Sequence, residues 1–330
     1  MKTVLITGAS GFIGSFLVEE ATKQGYNVLA GVRQNSSLRH LKNIEPVLFK
    51  ADLSDKQAIV EALKNTGPID YVIHNAGITK SCHKNDFDKI IFGGTKNLVE
   101  ALKETGKTPH KFLYISSLAA YGPGKKNKPV KPDDAPHPVS SYGKSKLKTE
   151  KYLQETAGLP YLIFRPTGAY GPREKDYLVM YKTLNKGIET YVGTTEQYLS
   201  FIYVKDLVPL LIKALSSPVV NKAYFVSDLN SYTAVEFNKI VKQALEKKYT
   251  VKIVFPKTLV KFISYFGEKT ACLFKGKPPT LNQDKYKEII QTNWLCDSSA
   301  LIKDFDFAPQ YDLEKGINET IKWNQINNIL

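Results

Sequence analysis

Apolar residues in the first half of the chain fall into short runs near 3–7, 27–32, 46–49, 70–73, 111–116 and 161–165, which read as strands. Between them, apolar positions at helical spacing predict helices near 12–24, 55–64, 86–105 and 142–156. That alternation is the signature of an α/β fold with a parallel, doubly wound sheet. Beyond residue 165 the order loosens into shorter elements, with helices expected near 177–186, 205–215, 233–246 and 314–325. No internal repeat is evident.

Composition agrees with that class. A chain of 330 residues, 42% of them hydrophobic, can bury a large core, and it reads as one main domain with an appended lobe. Cys82, Cys272 and Cys296 are widely spaced and odd in number, and the five histidines do not cluster. Neither a disulfide framework nor a metal site is therefore expected, and a reducing compartment is. The start Val4-Leu5-Ile6 is too short for a signal peptide, and nothing approaches 18 continuous apolar residues. A soluble, cytoplasmic protein with no membrane span is the expectation. The net charge of +14 would permit nucleic acid or an acidic membrane as partner. The lysines are spread along the chain, however, without an aromatic-interleaved basic stripe, which argues against nucleic acid. The densest basic run, Lys125-Lys126-Asn127-Lys128 with Lys131, lies in a proline-bearing loop and reads as solvated surface.

Three motifs carry chemistry. The first strand runs directly into Gly8-Ala9-Ser10-Gly11-Phe12-Ile13-Gly14, and a helix follows. Gly8 permits a tight turn, Gly11 a close approach to a pyrophosphate, and Gly14 close packing of helix on sheet, so this Rossmann-type loop is expected to bind a dinucleotide with Ser10, Phe12 and Ile13. At the end of the second strand no Asp or Glu occurs between Glu20 and Glu45, and Arg33 stands where a ribose-binding carboxylate is usual. A guanidinium suits a 2′-phosphate, so NADP(H) is preferred over NAD(H), with Arg39 or Lys42 as helpers; the alternative is a solvated loop arginine. Tyr142 and Lys146 lie one helical turn apart, where a cation could favour the phenolate of an acid/base tyrosine. About 25 residues earlier, Ser116-Ser117-Leu118-Ala119-Ala120-Tyr121-Gly122 offers a hydroxyl to a substrate carbonyl.

With these motifs the chain resembles the extended short-chain dehydrogenase/reductase family, which includes nucleotide-sugar epimerases and dehydratases, dihydroflavonol reductases and 3β-hydroxysteroid dehydrogenases. The likeness covers nearly the whole chain and is most specific in the glycine loop, Ala51-Asp52-Leu53, His74-Asn75-Ala76-Gly77, the Ser117 segment and Tyr142-Gly143-Lys144-Ser145-Lys146. It implies a core over 1–165 and a mainly substrate-binding lobe over 166–330, with some segments returning to the core. It further implies that Tyr142 exchanges a proton with the substrate oxygen, Lys146 holds the ribose and Ser117 bonds the same oxygen, Ser116 being the other candidate. Asp52 with Leu53 would take the adenine, although Asp52 could instead cap the helix near 55–64. Asn75, Ala76, Gly77 and Pro166 complete the expected cofactor set. Thr79, Ser117, Tyr142, Thr167, Gly168 and Tyr177 form the expected substrate set, and a homodimer through the helices near 86–105 and 142–156 is implied.

Departures from the family pattern bear on substrate. Ile91 replaces a frequent asparagine, Thr167 replaces another, and Leu199 stands where sugar-nucleotide epimerases commonly carry a diphosphate-binding arginine. The basic, aromatic stretch from Phe255 to Phe274 could roof an apolar pocket or rest on a membrane, the ordinary reading being a packed lobe helix or lid. Trp294 and Phe307 read as core, in a region relatives use to close over substrate. The leading reading is an NADP(H)-dependent oxidoreductase acting on a hydroxyl or ketone of a small, uncharged or modestly polar molecule. The alternatives are a nucleotide-sugar epimerase or dehydratase and a non-catalytic NADPH-binding protein.

Overall fold

In the computed structural model, which describes residues 1–125, 128–155, 159–276 and 278–330, seven parallel strands form the central sheet. They are β1 (Thr3–Thr7), β2 (Asn27–Val32), β3 (Val47–Lys50), β4 (Tyr71–His74), β5 (Lys111–Ile115), β6 (Tyr161–Pro166) and a seventh strand, Lys222–Val226. The spatial order is β3-β2-β1-β4-β5-β6 followed by the seventh strand, so the winding reverses between β1 and β4. A crevice opens at such a reversal, outside the carboxyl ends of the strands.

The two-residue side-chain period of each strand divides the core into two layers. Val4 and Ile6 of β1 join Leu113, Ile115 and Phe164 beneath helix α1 (Phe12–Lys23) and the helix Val204–Ser216. Leu5, Phe112, Tyr114 and Ile163 point the other way, onto helix α2 (Lys56–Lys64) and the helices Gly94–Glu104 and Ser141–Glu155. A separate aromatic cluster, including Tyr170, Tyr181, Phe201, Tyr203 and Phe237, forms the core of the later lobe. Phe307 is buried in the first layer, and Trp294 packs half-buried in a small cluster with Leu118, Val130 and Phe225.

Three expectations are corrected. The helix expected over 86–105 is interrupted by a π-helical segment, Asp88–Gly93, containing the buried Ile91; periodicity shows apolar faces but not one extra residue in a turn. Cys82 and Cys272 are joined by a disulfide across 190 residues, which removes the premise on which a reducing compartment was inferred. Sequence spacing cannot show that the segment after β4 meets a helix of the distant lobe. Cys296 remains a free thiol, pushed up to about 12 by burial. Of the basic run at 125–128, Lys126 and Asn127 lie outside the described residues, as does the last residue of the helix expected over 142–156.

One ionic group ties β5, β6 and the Ser141–Glu155 helix together. Arg165 donates from Nε and Nη2 to the Glu150 carboxylate at 2.8–3.1 Å, and the Ser116 hydroxyl donates to the same carboxylate. All three residues are buried, and the Arg165 guanidinium lies 4.3 Å from the centre of the Tyr121 ring. Removing one member of such a group leaves an uncompensated buried charge. Glu150→Gln is expected to cost about 3–5 kcal/mol of folding stability, measured by urea unfolding at neutral pH.

Candidate active site

Gly8 follows β1 with φ of 68°, a left-handed conformation open to glycine. A Cβ on Gly14 would stand 2.0 Å from the Gly8 carbonyl oxygen, so α1 reaches the turn only because residue 14 has no side chain. Gly11 caps α1 without a side-chain hydrogen bond, leaving first-turn amides facing the crevice mouth for an anion. Ser10, Phe12 and Ile13 are partly accessible around this turn. Ala76 N–H donates to Thr7 Oγ1 at 3.2 Å and Asn75 Nδ2 to the Gly8 carbonyl at 3.4 Å, so the exits of β1 and β4 are fastened together.

Arg33 is exposed at the end of β2 and, with Gln34, Asn35, Ala51 and Asp52, lines a cleft of about 480 Å³. Asp52 Oδ1 accepts from both N–H and Oγ–H of Ser54 at 2.9 Å; these bonds, helped by the Arg33 charge, hold the carboxyl below its usual range. The cap of α2 is Asp55, which accepts from Ala58 N–H at 3.1 Å, so capping is not the role of Asp52. Leu53 contributes a carbonyl to Asn97 Nδ2 at 2.9 Å. The uncapped α1 terminus, the side-chain-free cradle and the adjoining cleft fit a dinucleotide.

Ser117, Tyr142 and Lys146 come together where β5 ends against the start of the Ser141–Glu155 helix. Ser117 caps a short 3₁₀ turn, Leu118–Ala120, its Oγ accepting from Ala119 N–H at 3.1 Å. It lies beside the Tyr142 hydroxyl, whereas Ser116 is committed to Glu150. Lys146 Nζ donates to the Ile115 carbonyl at 2.7 Å and stands 5.8 Å from the Tyr142 ring centre and 4.7 Å from that of Tyr114. Burial pushes Lys146 down to about 7. Burial also holds the Tyr142 phenol above its ordinary range; the Glu288 charge adds to this and the Ser117 hydroxyl opposes it. Desolvation of both members of the pair opposes the lysine-favoured phenolate expected from the sequence.

Several contacts at the site carry no sequence signal read above. Tyr142 N–H donates to Asp284 Oδ2 at 3.0 Å, and Ser140, whose Oγ accepts from Gly143 N–H at 3.0 Å, donates to Glu288 at 2.7 Å. Both carboxylates come from the helix Gln283–Ile289 and sit where the dipole of the Tyr142 helix favours negative charge. The Asn282 cap of that helix, accepting from Lys285 N–H at 2.8 Å, is a pattern that could have located it. Ile91 and Lys146 flank Gly77: a Cβ there would stand 3.8 Å from Ile91 Cγ1 and 3.9 Å from Lys146 Nζ. His74 is locked between the Thr7 and Thr95 hydroxyls at 2.8 and 2.9 Å and pushed down to about 3 by burial, which marks it as structural.

The substrate candidates are more dispersed. Thr79 is exposed, and Thr167 spends its hydroxyl on the Val226 carbonyl at 3.1 Å. Tyr177 reaches across Gly168, its hydroxyl 2.5 Å from where a Cβ would stand. Beside it Lys80 pairs with Asp176, and Pro166 closes β6 opposite Val226.

A seven-stranded doubly wound sheet, a glycine turn under α1 and a Ser-Tyr-Lys grouping at the crevice define a nucleotide-dependent enzyme class. The NAD dependent epimerase/dehydratase family model matches residues 4–226, and the chain belongs to that family. It is an NAD(P)-dependent enzyme of the oxidoreductase or epimerase/dehydratase type. It is 29% identical over 259 residues to the UDP-glucose 4-epimerase of Vibrio cholerae, covering 74% of this chain and 76% of that one. The ceramide reductase of Caulobacter vibrioides is 23% identical over 325 residues, covering 97% and 93%. The crystal structure of UDP-glucose 4-epimerase from Thermotoga maritima with UDP-glucose has the same fold, with a TM-score of 0.78 at 22% identity over 99% of each chain.

The lowered lysine gives the site a pH signature. Between about 7 and the ordinary 10.5, Lys146 is neutral in the folded chain and protonated in the unfolded one. The unfolded state then binds more protons, so stability rises with pH across that window, and below it the burial penalty is fully present. Lys146→Met is expected to flatten this rise, measured by denaturant unfolding of both proteins at several pH values.

Proposed function

We propose that this chain is an NADP(H)-dependent oxidoreductase interconverting a ketone and a hydroxyl on an uncharged or weakly polar small molecule. The observation that carries the reading is the meeting of Ser117, Tyr142 and Lys146 at the crevice, with Ser116 withdrawn into the Glu150 pair. NADP(H) held there supplies the hydride donor or acceptor. Gly8, Ser10, Gly11, Phe12, Ile13 and Gly14 bind the pyrophosphate, Arg33 the 2′-phosphate, Asp52 and Leu53 the adenine, and Asn75, Ala76, Gly77 and Pro166 border the nicotinamide end. Tyr142 Oη passes a proton to or from the substrate oxygen while Ser117 Oγ hydrogen-bonds that oxygen. Lys146 holds the ribose hydroxyls and, when charged, draws the phenol down. Thr79, Thr167, Gly168 and Tyr177 face the substrate in this reading. The lobe over 166–330 carries most of its contacts. A homodimer, paired through the helices near 86–105 and 142–156, completes it.

The likeness to a ceramide reductase supports an apolar substrate, as does Leu199, which offers no charge to a diphosphate. The likeness to UDP-glucose 4-epimerases favours a second reading, a sugar-nucleotide epimerase or dehydratase that keeps its cofactor bound.

Nucleotide released by heating the purified protein separates the two, followed by titration with NADPH, NADH and UDP-sugars. Preference for NADPH by roughly tenfold or more, lost in Arg33→Ser, supports the oxidoreductase. Retained NAD⁺ together with UDP-sugar binding supports the epimerase. Tyr142→Phe is expected to lower turnover of a carbonyl substrate by roughly 10²–10⁴ while leaving NADPH affinity unchanged.

A further inference from the structure

The helix Lys257–Lys275 is amphipathic in the reverse sense of a packed surface helix. Val260 and Ser264, at four-residue spacing, face the protein and are buried, and Glu268 and Cys272 continue that row half-buried. The opposite face is apolar and open: Phe262 is 61% exposed, Phe266 57%, Leu273 79% and Phe274 81%, with Leu259 and Ile263 alongside. The Phe262 and Phe266 rings are stacked with centres 6.3 Å apart, so the face is a continuous aromatic ridge. A soluble surface rarely leaves so large an apolar strip uncovered without an occupant.

Charge and length say what covers it. Lys261 and Lys269 are exposed beside the ridge, and Lys269 lies over the Tyr265 ring at 4.5 Å. The helix has a single acid, Glu268, whose carboxylate turns inward to accept from Gln283 N–H at 2.7 Å. The outward face is therefore apolar and cationic with no acidic group. At 19 residues the helix is about 28 Å long. Among the described residues no helix is long and apolar enough to cross a membrane, so this one would lie on a surface.

The buried side of the same helix leads to the reactive tyrosine. Glu268 holds the start of the Gln283–Ile289 helix, and Asp284 of that helix accepts from Tyr142 N–H at 3.0 Å. Cys272 is bonded to Cys82, two residues beyond Lys80, which pairs with Asp176 and donates to Thr280 at 3.3 Å.

We propose that this helix docks flat on an anionic lipid bilayer, and that the substrate is a membrane-held amphiphile whose hydroxyl or ketone is taken at the interface. The substrate half rests on the oxidoreductase reading, and the docking half does not. The test is co-sedimentation of the full chain with vesicles of phosphatidylcholine containing phosphatidylglycerol, against phosphatidylcholine alone. The wild type is expected to pellet with the anionic vesicles, and less so as salt is raised. The triple variant Phe262→Ser, Phe266→Ser, Leu273→Ser should bind at least roughly tenfold more weakly. Lys261→Glu with Lys269→Glu should lose binding to anionic vesicles. Unchanged NADPH titration and circular dichroism show that the variants are folded, since every substituted side chain is exposed.

Wild type remaining in the supernatant with anionic vesicles overturns the docking, as does a triple variant that pellets like wild type. A wild-type dimer in sedimentation velocity that the triple variant turns into monomer, without vesicle binding, also overturns it and assigns the ridge to a second copy. Vesicle binding with no NADPH-dependent turnover of any carbonyl leaves the docking standing and removes the oxidoreductase reading. Turnover without vesicle binding does the reverse.

Discussion

The geometry of this site depends on a buried ion pair. Glu150 lies one helical turn beyond Lys146, and its carboxylate is filled by Arg165 from β6 and by Ser116, just after β5. A guanidinium and a carboxylate withdrawn from water tolerate only arrangements in which both are matched. That requirement sets the rotation and height of the Tyr142 helix against two strands at once. With Glu150 in place, Lys146 reaches the Ile115 carbonyl and Tyr142 stands beside Ser117. The same group engages the Ser116 hydroxyl, while the adjacent Ser117 lies beside Tyr142.

Desolvation then sets the electrostatics. Burial holds Tyr142 above its ordinary range and Lys146 well below its own. Binding partners that supply acceptors or charge at these atoms would draw the pair back, which links protonation to occupancy of the crevice. Ile91, set in a π-helical segment, lies near Gly77, as does Lys146, whose Nζ donates to the Ile115 carbonyl.

Polar and covalent contacts link the later lobe to this centre, beside the apolar packing of Trp294 and Phe225 on Leu118. Asp284 and Glu288 complete the capping of the Tyr142 helix, Glu268 holds the helix that carries them, and Cys82–Cys272 ties the long outer helix to the segment leaving β4. The exposed ridge is thus separated from the Tyr142 backbone by two hydrogen bonds and a short helix.

The local rules were enough for much of this. Strand runs, the glycine turn and the four-residue spacing of Tyr142 and Lys146 are one-dimensional patterns whose physics lies within a few residues, and the central sheet has the strands they predicted. The absence of a carboxylate after β2 was equally readable from the order of residues alone. What tertiary structure decided was every property that depends on partners distant in sequence. The Cys82–Cys272 bond, the capping of the Tyr142 helix by Asp284, the commitment of Ser116 to Glu150 and the raised phenol all arise from residues brought together across the fold. The outward turn of the Phe262–Phe266 ridge belongs with them. Periodicity shows that a helix has an apolar face, but only the packing of the opposite face determines whether that side meets protein or solvent.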